Sequence, residues 1–385
     1  MKKIWLGLTL LAAVAVVALR VLPAMLEASM NQVLVHDAFQ VKETDLAFHN
    51  SLLIGDLHAD STLWKRDLRE RGRRGHVDLP RLREGNVAIQ SFTFVTKTPA
   101  GMNYENNDSD ARDNITLLAL VQGWPRTTWD SLTERALFQA RKLTDIANNF
   151  PQELMILRSP KDVQTLLSSR AKGAQTIGAL LGVEGAHALD GSLANLDRLH
   201  SSGVRMMGLH HFFDNAVGGS LHGAGNAGLS EFGREVVRRL DELRMIIDVA
   251  HSSEQSVRDV LEVTARPLIV SHTGFQGQCA TPRNISDDLM RALAERGSLI
   301  GVGFWDAAIC KVSAEGIAEA IAYGIELLGV EHIALGSDYD GSTTVPFDVS
   351  ELAVLTAALR ARGIADDDIR SVMGGNQARF LRDNL

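Results

Sequence analysis

His58 and Asp60, two residues apart, come directly after a short and mostly apolar stretch at residues 52–57. In an extended strand, residues i and i+2 point to the same side of the sheet. The imidazole nitrogen of His58 and the carboxylate oxygen of Asp60 can therefore reach the same point in space. Nitrogen and oxygen donors of this kind bind divalent metals of the zinc type. We therefore treat His58 and Asp60 as candidate metal ligands.

The same arrangement recurs further along the chain, where polar side chains follow apolar segments that are typical of buried strands. These residues are Glu184, His211, His251, His272 and Asp338. In a barrel of parallel strands all carboxyl ends lie at one mouth, where active sites are built. Any single histidine in such a position is weak evidence, but the whole set predicts a metal centre.

Helical segments separate the apolar segments, and this alternation is typical of parallel βαβ units. The predicted strands cover residues 52–60, 87–94, 177–184, 204–209, 245–250, 267–271, 298–303 and 332–337. The predicted helices between and after them cover residues 79–84, 115–122, 132–149, 193–200, 230–243, 253–264, 286–296 and 314–328. A weaker strand at 154–157 is set aside. Eight strand–helix units predict an α/β protein with a (β/α)8 TIM-type barrel, in a single domain over residues 46–385.

Composition limits the possible partners and the role of the cysteines. The chain has 385 residues, a net charge of −8 and a sequence pI of about 5.8, which argues against a nucleic-acid partner. Its two cysteines, Cys279 and Cys310, form no metal-binding pair in the sequence. We expect two free thiols, although a disulfide between them remains open.

The first residues form a separate unit. Lys2 and Lys3 precede residues 4–19, which are apolar or small except for Thr9, and Arg20 follows. This pattern predicts a secretory signal peptide or an N-terminal membrane anchor over residues 1–26. Residues 27–45 are predicted to be a connector. We favour an uncleaved anchor, with the body of the protein outside the cytoplasm.

Several motifs together resemble the membrane (renal-type) dipeptidase family of zinc metallopeptidases. They are Asp56-Leu57-His58-Ala59-Asp60, His76-Val77-Asp78-Leu79-Pro80, Gly182-Val183-Glu184-Gly185, Asp248-Val249-Ala250-His251-Ser252, Ser271-His272, Pro282-Arg283-Asn284-Ile285, Gly336-Ser337-Asp338-Tyr339-Asp340-Gly341 and Gly374-Gly375-Asn376. The resemblance runs in order from about residue 50 to the last residue. It implies a metal-dependent (β/α)8 barrel with two Zn²⁺ per chain, dipeptide substrates and a possible homodimer.

The resemblance also implies a role for each matching residue. His58 and Asp60 would hold one zinc ion, His251 and His272 the other, and Glu184 would bridge the two. His211 would stabilise the reacting carbonyl, Asp338 would contact the metal-bound water, and Arg283 would receive the substrate carboxylate. Leu57 and Ala59 depart from the common form of the first motif, but both ligand positions are kept.

This chemistry agrees with what the residues alone allow. Two metal ions can share a water and lower its pKa, a nearby aspartate can carry its proton, and an arginine can hold a carboxylate. The alternatives are another metal-dependent amidohydrolase on the same barrel and a catalytically silent surface binding protein. No Gly-x-Ser-x-Gly motif is present, which argues against a serine nucleophile.

Overall fold

Eight parallel strands close into a barrel in the computed structural model, which describes residues 21–385. In chain order they are β1 (Ile54–Ala59), β2 (Val87–Val95), β3 (Ile177–Glu184), β4 (Val204–Gly208), β5 (Ile246–Asp248), β6 (Ile269–Thr273), β7 (Leu299–Val302) and β8 (Ile333–Leu335). Each strand pairs with the next, and β8 pairs with β1 to close the ring. A short strand, Leu154–Ile156, pairs with the first residues of β3. The predicted (β/α)8 barrel is confirmed.

Helices follow the strands and surround the barrel. They are Glu43–Asn50, Leu79–Glu84, Asn114–Gln122, Thr127–Asp130, Leu132–Asn149, Pro160–Arg170, Leu193–Ser201, Glu231–Glu242, Glu254–Val263, Asp287–Glu295, Asp306–Ile309, Ala314–Leu328, Ala353–Ala361, Asp366–Arg370 and Asn376–Asn384. Serine caps begin several of them: the side chains of Ser131, Ser159, Ser230, Ser253 and Ser313 each accept a hydrogen bond from the backbone N–H three residues on. Such caps satisfy donors that have no partner within the helix.

The helix Asn376–Asn384 closes the end of the barrel opposite the mouth. A buried apolar cluster takes at least one residue from each of the eight strands and adds Phe380 and Leu381 from this helix. Gln377 Nε2 also donates to the Asp56 carbonyl in β1, and Asn376 Nδ2 donates to the Ile333 carbonyl in β8. The helix therefore contacts the first and last strands of the ring together.

The segment before the barrel is attached to the same loops as the predicted site. Residues 21–30 are helical, and Gln32–Val33 pairs in parallel with Thr344–Val345 after β8. The buried Glu27 forms ion pairs with Arg66 and Arg74. Most of the predicted signal peptide or anchor, residues 1–20, lies outside the described residues. From residue 21 onward, the chain contains no helix that is both long and apolar enough to cross a membrane.

The expectation of two free thiols is wrong, because Cys279 and Cys310 form a disulfide. The two cysteines are 31 positions apart in sequence but lie in the loops after β6 and β7, which are neighbours in the barrel. The sequence prediction also missed four helices: Glu43–Asn50, Thr127–Asp130, Pro160–Arg170 and Asp306–Ile309.

Candidate metal centre

All seven polar residues predicted at strand ends lie together at the mouth of the barrel, and all are buried. They are His58, Asp60, Glu184, His211, His251, His272 and Asp338. Residues from six strands or the loops just after them contribute to three overlapping groups that could each hold a metal ion: His58–Asp60–Glu184, Glu184–His211–His251 and His58–His272–Asp338. Barrel closure explains this convergence, since the carboxyl ends of parallel strands meet at one mouth.

The first group corresponds to one predicted metal site. His58 Nε2 lies 3.5 Å from Asp60 Oδ1 and 3.6 Å from Glu184 Oε1. Ligand atoms about 2.0–2.1 Å from a tetrahedral zinc ion are about 3.3–3.4 Å from one another, so these separations fit such an ion. The buried His58 Nε2 has no hydrogen-bond partner, which also fits a metal ligand.

The second predicted site shares Glu184 with the first. His251 Nε2 lies 3.2 Å and His272 Nε2 3.5 Å from Glu184 Oε1, and the two histidine nitrogens are 2.9 Å apart. His211 and Asp338 are close as well: His211 Nε2 is 3.5 Å from Glu184 Oε2, and Asp338 Oδ1 is 3.8 Å from His58 Nε2. On geometry alone, both are additional candidate ligands.

Ser271 fixes the orientation of two histidines from different strands. Its hydroxyl donates to Asp248 Oδ2 at 2.6 Å and lies 3.0 Å from His58 Nδ1 and 2.9 Å from His272 Nδ1. Because the hydroxyl has one proton, given to Asp248, it can only accept from the two rings. Each ring therefore carries a proton on Nδ1 and directs Nε2 towards the metal centre, as hydrogen-bonded metal ligands usually do.

Two further contacts hold the β1 ligands. Thr93 in β2 donates its hydroxyl proton to Asp60 Oδ1 at 2.6 Å. The buried Asp56 accepts hydrogen bonds from the backbone N–H and the hydroxyl of Ser337, and the Ser337 hydroxyl also contacts the His58 carbonyl. The loop that carries Asp338 is thereby tied to the strand that carries His58.

Two site residues have left-handed backbone conformations. The φ angle of His251 is +60° and that of Asp338 is +59°. Residues with side chains seldom adopt this region, and when they do they are concentrated at functional sites. In both cases the strand ends three residues before the residue, and the turn that follows directs the side chain into the mouth.

Burial and mutual charge shift the titration of the site in the metal-free chain. Burial alone would lower the pKa of His58, but the Glu184 and Asp60 carboxylates outweigh it and raise the pKa to about 10. Burial raises the pKa of Asp338 to about 8 and raises that of Glu184 as well. Burial lowers the pKa of His211 to about 4. An acidic cluster of this kind, sharing protons, is suited to a cation.

Arg283 is fully buried beside the cluster, in the loop after β6. Its Nη2 donates to the His272 carbonyl at 2.7 Å, and the guanidinium lies over the Trp305 ring at 5.3 Å. Its Nε has no partner, and from residue 21 to residue 385 no carboxylate forms an ion pair with it. The structure thus places all eight predicted site residues around one mouth.

A cavity of about 380 Å³ opens above these residues, a volume typical of small-molecule sites. Its polar floor includes Glu184, His251, His272, Arg283 and Asp338, and most of its walls are apolar. Tyr104, in the loop after β2, lines it too, and its hydroxyl accepts a hydrogen bond from Trp305 Nε1 at 3.0 Å.

The sequence reasoning missed the supporting residues. Asp248 and Ser271 stand inside motifs that were recognised for their histidines, and a polar residue in an otherwise apolar strand was the available signal. Tyr104 and Trp305 lie in loops without a recognisable pattern, and only the fold brings them to the mouth.

A parallel barrel with a cluster of buried histidines and carboxylates at its mouth defines a metal-dependent hydrolase. Comparison with known proteins identifies the family, since the sequence profile of membrane dipeptidases, peptidase family M19, matches residues 43–384. The chain is 30% identical over 328 residues to dipeptidase aclJ of Aspergillus oryzae, covering 80% of this chain and 70% of that protein. It is 31% identical over 328 residues to the uncharacterized dipeptidase C965.12 of Schizosaccharomyces pombe, covering 81% of this chain and 73% of that protein. The chain belongs to the membrane dipeptidase family and is a metallopeptidase that hydrolyses peptide bonds.

Two solved structures share the fold. A metallopeptidase from Rhodobacter sphaeroides, solved with a phosphinate mimic of the dipeptide L-Ala-D-Ala, superposes with a TM-score of 0.70 at 23% identity, over 87% of this chain and 99% of that one. An amidohydrolase from Pseudomonas aeruginosa superposes with a TM-score of 0.68 at 21% identity, over 88% of this chain and 98% of that one.

Proposed function

We propose that this protein hydrolyses dipeptides with two bound Zn²⁺ ions and holds the carboxylate of the substrate with Arg283. The observation that carries the proposal is a buried guanidinium without an acidic partner, placed next to the metal centre. An uncompensated buried charge is costly, so an anionic group of the substrate would stabilise it. Arginine is also the residue that binds carboxylates through two parallel hydrogen bonds.

His58 and Asp60 would hold one ion, His251 and His272 the other, and Glu184 would bridge them. The support is the set of ligand-atom separations, between 2.9 and 3.6 Å, together with the single carboxylate that contacts both histidine groups. When bound, the two ions would polarise the scissile carbonyl and lower the pKa of a shared water. Ser271 accepts hydrogen bonds from the Nδ1–H groups of His58 and His272, and this leaves the Nε2 atoms of both rings available for metal.

Asp338 would carry the proton between water and the leaving amine. Its carboxyl lies at the cavity and within 3.8 Å of a metal-ligand nitrogen, and burial raises its pKa to about 8 without a metal. Bound cations would lower that pKa, which favours uptake of a proton only as the reaction proceeds. His211 would stabilise the reacting carbonyl from the mouth, where its Nε2 lies 3.5 Å from Glu184 Oε2.

We also propose that the catalytic body of the protein lies outside the cytoplasm. Residues 1–26 would serve as an uncleaved anchor whose last residues, from 21 onward, reach the cavity, residues 27–45 as a connector and residues 46–385 as the catalytic barrel. The disulfide supports a position outside the cytoplasm, because disulfides persist mainly in oxidising compartments. The possible homodimer rests on the family alone.

The test is to load the purified protein with zinc, measure the bound metal, and compare kcat/KM for a dipeptide, its amide and a matching tripeptide. We expect two equivalents of zinc and clear preference for the dipeptide. Loss of a charged, partly buried contact costs about 2–5 kcal/mol, so the amide should react at least about 30-fold more slowly. Arg283→Ala should reduce that preference, because the group that distinguishes the substrates is gone.

The same comparison separates the proposal from its closest alternative. Equal kcat/KM for the three substrates on the wild type would reject the carboxylate contact and favour a broader amidohydrolase. Less than one equivalent of zinc after reconstitution would reject the two-metal centre.

A further inference from the structure

One wall of the catalytic cavity comes from residues that precede the family match. The match begins at residue 43, yet Leu22, Leu26 and Met30 line the cavity together with the metal-centre residues. Their spacing of four places them on one face of the helical residues 21–30. This wall is therefore built from residues outside the part of the chain that the family profile matches.

The wall is attached to the loops that carry the catalytic residues. Glu27, on the same helix, is buried and forms an ion pair with Arg66, which also pairs with Asp340, two residues after Asp338. Asn31 Oδ1 accepts the Ser342 N–H at 2.8 Å, and Gln32 N–H donates to the Thr343 carbonyl at 3.1 Å. These contacts fix the helix against the loop after β8.

The wall and the proposed carboxylate site line the same cavity from different loops. Leu22, Leu26 and Met30 line the cavity with residues from the loops after β8, β1 and β2, such as Ser342, Trp64 and Leu118. Arg283 and Trp305 follow β6 and β7. With its carboxylate on Arg283 and its scissile bond at the metal centre, a dipeptide would have its amino-terminal residue in the remaining part of the cavity, which the apolar wall lines.

The three side chains keep a large apolar area uncovered. Their exposed fractions are 42% for Leu22, 36% for Leu26 and 41% for Met30. Removing apolar surface from water contributes about 25 cal/mol per Å², so a side chain that covers this wall gains binding energy that a glycine residue does not.

We propose that residues 21–30 form a specificity wall, and that the enzyme prefers dipeptides whose amino-terminal residue has a large apolar side chain. This inference rests on the proposed function, because the orientation of the substrate follows from the Arg283 contact. Leu22, Leu26 and Met30 are the residues that determine the preference, and Glu27 is the residue that positions them.

The experiment uses the full-length chain, purified in detergent and loaded with zinc, and measures kcat/KM for Leu-Ala and Gly-Ala. A Leu22→Gln/Leu26→Gln/Met30→Gln variant should lower the Leu-Ala to Gly-Ala ratio about tenfold, the scale of a small change in an apolar pocket. Met25→Gln is the matched control: Met25 lies on the same helix, is 62% exposed and does not line the cavity, so its ratio should equal that of the wild type.

Two further measurements test the wall independently of the triple variant. Glu27→Gln should also lower the ratio, because it weakens the ion pairs that hold the wall, and it leaves the apolar side chains intact. The ratio for Ala-Leu against Ala-Gly should not change in any of these variants, since that side chain lies on the Arg283 side.

A wild-type enzyme that prefers Gly-Ala, or a ratio that stays the same in the triple variant and in Glu27→Gln, would overturn the wall while dipeptide hydrolysis itself still stands. Absence of hydrolysis of every dipeptide by the zinc-loaded wild type would overturn the proposed function, and the wall with it.

Discussion

At the scale of single residues, the metal centre depends on hydrogen bonds that set which nitrogen of each ring is free. Ser271 accepts from the Nδ1 atoms of both His58 and His272 while it donates to Asp248. One hydroxyl thereby orients a proposed ligand of each metal ion. The arrangement also explains why Asp248 is a carboxylate. Its Oδ2 accepts the hydrogen bond that the Ser271 hydroxyl donates, so the serine oxygen can only accept hydrogen bonds from the two histidine rings.

Replacing Ser271 by alanine should weaken zinc binding without removing any ligand. The two Nδ1–H groups would lose their acceptor, and loss of such an outer hydrogen bond typically costs about 10–100-fold in metal affinity. The measurement is zinc affinity by competition with a chelator. Unchanged affinity in a folded Ser271→Ala protein would show that the histidines are oriented by packing alone.

Asp338→Asn provides the contrasting variant. It keeps the ligand set proposed for both ions, so the zinc content should match that of the wild type. Turnover should fall about 10²–10⁴-fold, the range for removal of a general acid–base. A zinc-loaded Asp338→Asn protein with nearly normal kcat would exclude Asp338 as the proton carrier.

At the scale of elements, the loops after β6 and β7 behave as one unit because the disulfide joins them. Cys279 is four residues before Arg283, and Cys310 follows Trp305, whose ring lies under the guanidinium. Asn284 adds a second connection, since its Nδ2 donates to the carbonyls of Cys279 and Ala308. The carboxylate site is therefore built on a cross-linked pair of loops.

Cys279→Ser/Cys310→Ser should lower the free energy of unfolding by about 3–4 kcal/mol. The estimate follows from the loss of loop closure over the 31 positions between the cysteines, which makes the unfolded chain freer. Denaturant unfolding of the oxidised wild type, the reduced wild type and the double variant provides the measurement. Equal midpoints for all three proteins would mean that the cross-link contributes nothing to stability.

Many of the strands and helices were predictable from the sequence, and the elements that were missed have physical reasons. The strand Ile177–Glu184 and the helix Leu132–Asn149 were predicted to the residue, because a continuous apolar run and a strong 3.6-residue period leave few alternatives. The helix Pro160–Arg170 has a weak apolar face, with Val163 and Leu166 as its buried residues, so its pattern was missed. The disulfide depends on which loops are neighbours, and local sequence does not contain that information.

The residues of the site also divide into those that the sequence predicted and those that only the structure revealed. The residues proposed to bind metal were found because they end apolar strands, a position that the one-dimensional pattern reveals. Leu22, Leu26 and Met30 were assigned to an anchor and a connector, since their pattern is equally typical of a membrane segment. Only the closed barrel shows that they face the cavity.

At the scale of the whole molecule, one buried lysine should make stability depend on pH. The Lys142 ammonium donates to the Thr62 carbonyl at 2.7 Å and lies within 5.1 Å of the ring centres of Trp124 and Phe138. Burial, with a smaller contribution from Arg66, lowers the pKa of Lys142 from 10.5 to about 7. Between these two values the unfolded chain binds a proton that the folded chain does not.

The contribution of Lys142 to the free energy of unfolding should therefore rise with pH from about 7 to about 10, by at most about 1.4 kcal/mol per pH unit. Lys142→Met removes the titrating group and keeps a long side chain between the two rings. The difference in unfolding free energy between the two proteins, measured across this range, isolates Lys142. A difference that does not vary with pH would show that Lys142 titrates normally in the folded protein.

The helix Asn376–Asn384 also sets the order in which a newly made chain can reach its final state. Gln377 Nε2 donates to the carbonyl of Asp56, 321 positions earlier, and β1 pairs with β8 between Asp56 and Leu335. At synthesis rates of about 5–20 residues per second, roughly 15–60 s separate the emergence of these two strands from the ribosome. Throughout that interval β1 has one edge without its partner, and exposed edges of this kind invite pairing with other chains. During biosynthesis the protein is therefore open to aggregation through this edge until its last barrel strand has been made.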